Sequence, residues 1–433
     1  MSRPDVRPGP PHGQPYGQPY GEPDTYDIAI VGGGMVGATL TVALAPLNLK
    51  VALIEQFPHN AAAQPSFDER TTALSNGSRR ILDTIGVWPQ LDGAASAIAK
   101  IHVSDRGRFG FARIDAAALG LAALGFVVPN RALGDALWSR LPTPGLQVFC
   151  PAEVAQVTPD SDAVLIDIRQ ADGPTRIAAK LVVAADGAHS AVRAAFGVQA
   201  EVRDYAQTAV ITTILPQRFH EHVAYERFTA EGPMALLPLE GGRCTLVLTL
   251  APEAAQAALQ WSDADFLAEV QRRFGFRLGR FLKVGRRTPY PLSLSRAERT
   301  SEGRCVIIGN AAQGLHPVAG MGFNLGLRDV ASLAELIAEG VDANGFDAGN
   351  AQLLAAYDAW RAADRSGVIA FTDGLVRVFS NPLHSIARLR NLGLLAFDLL
   401  PPAKAALSRL STGANGRVPK LARGVALSPR MAP

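Results

Sequence analysis

Between Tyr26 and Gln56 the chain reads YDIAIVGGGMVGATLTVALAPLNLKVALIEQ, and few folds accommodate such a segment. Ile28 to Val31 is a short apolar strand, Gly32-x-Gly34-x-x-Gly37 a tight turn, Met35 to Ala45 a helix, and Val51 to Ile54 a second strand. An acid, Glu55, ends that strand about twenty residues past the glycines, where it can accept ribose hydroxyls. Strand, glycines, helix, strand and acid together predict a βαβ unit that binds an adenine dinucleotide. A carboxylate at Glu55 repels a 2′-phosphate, so the expected resident cofactor is FAD or NAD rather than NADP.

The segment RCVIIGNAAQGLHPVAGMGFNLGLRD, Arg304 to Asp329, looks like a second cofactor contact. Cys305 to Ile308 is apolar without alternation, as in a strand covered on both faces. Gly309 and Asn310 end it. Gly320, Gly322 and Asn324 open a helix whose apolar positions Leu327, Val330, Ala334 and Ile337 recur at helical spacing. Free N–H groups in its first turn attract negative charge, such as the pyrimidine edge of a reduced flavin. Leu181 to Ala185 is a further buried strand, ending in DGAHSAVR from Asp186, with Ser190 as an alternative helix cap. Polar groups at two strand ends, Asp186 and Gly309, require a ligand longer than half a dinucleotide. In DERTTALSNGSRRIL, Asp68 to Leu82, Arg70 can reach a pyrophosphate or lie in solvent before a helix. Asn130 begins a helical pattern, NRALGDALWSRL, whose first turn either touches the cofactor or only packs.

The remaining chain frames these motifs. Residues 1–25 carry GQPYGQPYGEPD, a disorder-prone repeat. IHVSDRGRFG, Ile101 to Gly110, reads as a hairpin, and the Ala-rich stretch to Val128 as buried against a sheet. Thr208 to Leu215, Val223 to Thr229, Pro233 to Leu239 and Cys244 to Leu250 read as strands of an inserted sheet. Trp261 to Phe281 follows as a helical pattern. Tyr225, Arg227, Phe228 and Met234 are its candidate pocket residues, or ordinary sheet packing. Gln352 to Ala370 is helical, Phe371 to Leu400 is apolar with basic interruptions, and Ala403 to Pro433 holds six Lys or Arg and no acid. That combination suits an anionic membrane surface, and equally a solvated tail. The domains expected are a discontinuous dinucleotide-binding unit over 26–200 and 286–365, a β-rich unit over 201–285, and a C-terminal region over 366–433.

Composition narrows the classes. A net charge of +3 over 433 residues gives no argument for nucleic acid. Cys150, Cys244 and Cys305 lie far apart with no ligand spacing, so neither a metal site nor a disulfide framework is expected. The longest uncharged apolar run, Ala116 to Val128, falls short of the ~20 residues a spanning helix needs. The start of the sequence shows no apolar secretory segment, which makes a cytoplasmic location the expectation.

GGGMVG, DGAHSAVR and GNAAQGLHPVAGMGFNLGLRD, in that order, resemble the single-component flavin monooxygenases that hydroxylate aromatic rings. DERTTALSNGSRRIL, IHVSDRGRFG, YERFTAEGPMALLPL and FTDGLVRVFSN look like the ubiquinone-biosynthesis hydroxylases, and most like those acting on 2-polyprenyl-6-methoxyphenol. The resemblance implies an α/β fold: a discontinuous Rossmann-like FAD-binding domain, an inserted, predominantly β substrate domain and C-terminal helices. It carries FAD contacts onto Gly32, Gly34, Gly37, Glu55, Arg70, Asn130, Asp186, Gly309, Asn310, Gly322 and Asn324, with the Gly320 to Asn324 amides at the flavin. Asn310 replaces the aspartate usual in the broader class, and Met321 a common glutamine. The implied chemistry is reduction of FAD by NAD(P)H, a transient reductant, then oxygen transfer from a flavin C4a-hydroperoxide to a polyprenylated phenol. Pro317 would shape the loop and His316 activate the phenol or only hold the loop. Peripheral attachment to the inner face of the membrane and contact with other quinone-biosynthesis proteins are further implications. A flavin dehydrogenase and a noncatalytic FAD-bound subunit are the alternatives.

Overall fold

The computed structural model describes residues 22–61, 64–68, 70–108, 110–229, 231–315, 320–341, 346–379 and 417–428. Its central sheet is parallel where the glycine motif predicts it. Strand Asp24–Val31 pairs in parallel with Val51–Ile54 on one side and Gly173–Ala184 on the other. Leu146–Phe149 extends one edge and Cys305–Ile307 the other, both in parallel. Glu153–Pro159 and Val164–Gln170 fold back antiparallel onto Gly173–Ala184. Alternate residues of each central strand enter opposite cores. Ile28, Ile30, Leu53 and Val183 pack on helices Met35–Leu44 and Met321–Gly340. Ala29, Val31, Ile54 and Val182 pack against Val164, Ile166 and Ile168 of the meander. Burial on both faces is why these strands read as unbroken apolar runs.

A second sheet of nine strands, mostly antiparallel, stands beside the first. Its order is Gln313–Gly314, Thr288–Ala297, Ala200–Pro216, Cys244–Leu250, Gly232–Pro238, Val223–Thr229, Lys100–Asp105, Phe111–Asp115, with Phe281–Val284 on Ala200–Pro216. Helices Pro252–Gln260 and Asp263–Phe274 cover one face around Leu246, Leu248, Phe266 and Val270. A three-stranded sheet, Thr71–Ser75, Gly125–Pro129 and Ser96–Ile98, bridges the two.

Several expectations need correction. The hairpin at Ile101 joins the second sheet, because Lys100–Asp105 pairs in parallel with Val223–Thr229, about 120 residues away. That sheet therefore recruits strands on both sides of 201–285. The Ala-rich stretch is not buried throughout: Ala117 and Ala118 are exposed and Leu121 is 38% exposed, before strand Gly125–Pro129 begins. Of the helical pattern over 261–281 only Asp263–Phe274 is helical, capped by Ser262, whose hydroxyl accepts from the Asp265 N–H, and Phe281 starts a strand. The C-terminal basic segment is partly docked. Arg417 bonds Glu335 and Glu339 at 2.8 and 2.9 Å and lies over the Trp360 ring, while Leu421 and Leu427 are buried. Opposing carboxylates explain this, since Arg417 and Lys420 find partners on helix Met321–Gly340. Residues 380–416, with most of the apolar-basic stretch, lie outside the described residues.

Candidate active site

One cavity of about 800 Å³ runs from the glycine motif into the uncovered face of the second sheet. At its nucleotide end lies the uncapped N-terminus of helix Met35–Leu44, with Gly32 and Gly34 on the wall. Unpaired N–H groups there favour a pyrophosphate. Gly37 is off the wall, inside the helix, where a Cβ would sit 1.8 Å from the Gly32 carbonyl oxygen. Its role is the close approach of helix to turn. Glu55 is almost fully buried and accepts from the Gly33 and Phe57 N–H groups and Gln64 Nε2, which orients its carboxylate on the wall.

Arg70 lines the same cavity. Its Nε binds Asp68 at 2.7 Å, its Nη2 donates to the Pro65 carbonyl, and its guanidinium lies 4.4 Å from the Tyr290 ring centre. Nη1 has no partner among the described residues. Tyr290 also donates to Asp68 at 2.7 Å. Burial opposes the Asp68 charge, but the bonds from Arg70 and Tyr290 prevail and hold its carboxyl below the usual range. Asn130 is buried, accepts from Thr72 at 2.7 Å and reaches the wall.

Asp186 is the most telling residue at this end. One carboxylate oxygen accepts from the Val192 N–H at 3.2 Å; the other is buried without a partner. Burial raises its pKa above the ordinary aspartate value. A buried acceptor left open on a cavity wall calls for a donor from a ligand. Across the cavity, Gly309, Asn310, Gly320 and Gly322 present the second cofactor motif. Gly320, at φ +60°, caps helix Met321–Gly340 in a left-handed conformation and leaves its first turn open to the cavity. Asn324 stands back from the wall. Its Oδ1 accepts from Ser75 N–H and Ser78 hydroxyl, and its Nδ2 donates to the Ala73 and Gly320 carbonyls, so it clamps the helix start to strand Thr71–Ser75. The free oxygen of Asp186 and the two uncapped helix starts fit an extended dinucleotide carrying hydroxyls and anionic groups. His316 and Pro317 lie outside the described residues.

The sheet end differs from expectation in which residues face inward. Ala224, Glu226, Pro233, Ala235, Leu237, Val247 and Thr249 line the cavity. Met234 is turned to the helix-covered face with Leu236 and Leu248. Arg227 bonds the Arg273 carbonyl and Ser104 and lines a separate pocket of about 270 Å³. Phe228 is buried away from the lining, and Tyr225 reaches the cavity while packing against Phe274. Strand side chains alternate, so a choice of the wrong parity selects the opposite face. Glu226 was not among the candidates, although a lone acid within the apolar texture of these strands was its signal.

An α/β dinucleotide layer whose cavity continues onto a large antiparallel sheet defines the fold class of the FAD-dependent aromatic hydroxylases. The fold matches p-nitrophenol 4-monooxygenase PnpA from Pseudomonas putida with a TM-score of 0.75 at 18% identity, covering 91% of this chain and 99% of that one. The FAD binding domain family model matches residues 25–372, and the chain belongs to that family, in its ubiquinone-biosynthesis hydroxylase branch. Ubiquinone hydroxylase UbiL of Rhodospirillum rubrum is 39% identical over 405 residues, 93% of each chain. The 3-demethoxyubiquinol 3-hydroxylase of Escherichia coli is 32% identical, covering 86% of this chain and 94% of that one. The protein is an FAD-dependent monooxygenase that uses NAD(P)H and O₂ on an aromatic substrate.

Proposed function

We propose that the chain hydroxylates the ring of a polyprenylated phenol, of the 2-polyprenyl-6-methoxyphenol kind, in ubiquinone biosynthesis. The observation that carries this reading is the continuity of one cavity from dinucleotide-binding groups to an apolar sheet wall. Cofactor and ring can thus share one enclosed space. FAD, when bound, accepts hydride from NAD(P)H and activates O₂ for transfer of one oxygen atom. Glu55 would receive the ribose hydroxyls and the start of helix Met35–Leu44 the pyrophosphate, with Arg70 beside it. Asp186 would accept a hydroxyl of the bound cofactor, and the first turn of helix Met321–Gly340 would stabilise negative charge on the ring system. Ala224, Ala235 and Val247 exclude water and seat an apolar ring.

The polyprenyl chain of such a substrate dissolves in a bilayer, so the reading includes peripheral contact with an anionic membrane face. Among the described residues no helix is long and apolar enough to cross a membrane. The decisive experiment is quinone-intermediate profiling in a deletion strain, joined to ¹⁸O₂ labelling with purified protein. Accumulation of the unhydroxylated polyprenyl phenol, and label in the product, are expected. Normal quinone levels would remove the pathway assignment, and an unlabelled product would indicate a dehydrogenase.

A further inference from the structure

On the second-sheet side of the cavity one acid has no part in cofactor binding. Glu226 lies on strand Val223–Thr229 and lines the cavity on the sheet side. Its register partners across the sheet are Val103 and Ala235, both apolar. The next register pair along the strands on that side is Phe228 with Asp105, and Asp105 is itself paired with Arg108 at 3.7 Å, while the adjacent Arg227 bonds the Arg273 carbonyl and Ser104. Arg70, just before strand Thr71–Ser75, lines the same cavity and is paired through its Nε with Asp68. Glu226 forms no hydrogen bond or ion pair with any described residue. Its side chain is partly exposed to cavity space, and burial pushes its pKa up to about 8. At neutral pH it is therefore a carboxylic acid, able to donate one hydrogen bond and accept another. An apolar residue would pack there without any such unmet demand, so a ligand group is the natural partner.

We propose that Glu226 receives the ring hydroxyl of the aromatic substrate, and that this bond, on a largely apolar wall, selects the ring carbon presented for oxygen transfer. The inference rests on the hydroxylase reading above and names the residue that would make its position-selectivity. The apolar neighbours Ala224, Ala235 and Leu237 can hold a ring but cannot fix its rotation about the cavity axis. One directional bond supplies that constraint. Glu226 contributes no bond to the fold, so its exchange leaves the sheet pairing in place.

The test uses FAD-loaded protein, wild type beside Glu226→Leu and Glu226→Gln, with a short-chain prenylated phenol and its O-methyl ether. Binding is read from the perturbation of flavin absorbance, and hydroxylation from product formed per NAD(P)H consumed. FAD content reports whether each variant is folded. Wild type should prefer the phenol to the ether by roughly tenfold, the worth of one buried hydrogen bond. Glu226→Leu should lose that preference, release more peroxide and give mixed ring positions. Glu226→Gln, which can still donate and accept, should keep most of it. The proposal is overturned if wild type and Glu226→Leu show the same phenol preference and the same product position. A wild type that binds neither ligand overturns the hydroxylase reading as well, which separates the two failures.

Discussion

Two acids in the cavity carry opposite liabilities at the scale of single residues. Asp186 has one oxygen occupied by a backbone N–H and one open, and an open buried acceptor costs about 1–3 kcal/mol until a donor arrives. Asp186→Asn keeps an oxygen for the Val192 N–H but puts a donor NH₂ group where the open acceptor stood. We expect FAD affinity to fall roughly tenfold, measured by fluorescence titration of the apoprotein, with little change in apoprotein melting. Glu226 acts on stability through pH. Its folded-state pKa of about 8 lies above the ~4.3 of a free glutamate. Below both values the proton is held in either state and nothing is lost. As pH rises, the unfolded chain releases its proton first, so stability declines through the window from about 5 to 8. Glu226→Gln should flatten that part of the pH profile in denaturant unfolding of the apoprotein, and raise stability at pH 8. An unchanged slope would show that the carboxyl is not held neutral.

Helices are fixed to the cavity by a buried ionic network, at the scale of elements. Asp329, on helix Met321–Gly340, accepts from Arg361 at 2.8 Å and from Gln313 at 2.7 Å, and Arg361 and Arg328 both reach Asp364. Burial works against the Arg361 charge, but Asp329 and Asp364 outweigh it and hold its pKa above the ordinary guanidinium value. Arg365 completes the link by donating to Gln313 at 2.7 Å. Asp329 is fully buried and its Oδ2 also approaches the Gly309 N–H, so the network sets the turn that presents Gly309 and Asn310. Asp329→Ala removes one of the two carboxylates that hold Arg361, leaves Arg361 and Arg328 to share Asp364, and should cost about 3–5 kcal/mol. Chemical denaturation would register that loss, and retained FAD affinity in the variant would show that the turn is held by other means. Much of this scale was legible in sequence, because a glycine motif between strand and helix is local chemistry. Strand Val51–Ile54 has the expected bounds, and helix Met35–Leu44 differs by one residue. The inward parity of the second sheet was not legible. YERFT and PMALLPL are apolar or bulky on both faces because one face packs on helices and the other on the cavity, so the alternation that would reveal the inner side is absent. Nor could the pairing of Ile101 with Ala224 be read locally, since it joins strands about 120 residues apart.

For the whole molecule, the cavity wall is drawn from three sheets and two helix starts, and a ligand that fills it ties them together. Any group that binds the folded chain alone stabilises it by mass action, about 2.7 kcal/mol at a hundred times its dissociation constant. Stripping FAD should therefore lower the melting temperature, and adding it back should restore the transition in a concentration-dependent way. A melting curve indifferent to FAD would show that the sheets hold their arrangement without it. The dinucleotide half was evident from sequence through Gly32 to Glu55, whereas the substrate half required the folded chain to show that Glu226 shares its space.

Asp186, just past strand Gly173–Ala184, has a buried carboxyl oxygen without a partner, and Glu226, on strand Val223–Thr229 of the second sheet, lines the same enclosure. An inhibitor built only as a greasy plug would cover both and answer neither. A bridging compound that offers a donor to each acid should be the more selective blocker, because an enclosure of the same shape lacking either carboxyl would gain nothing from it.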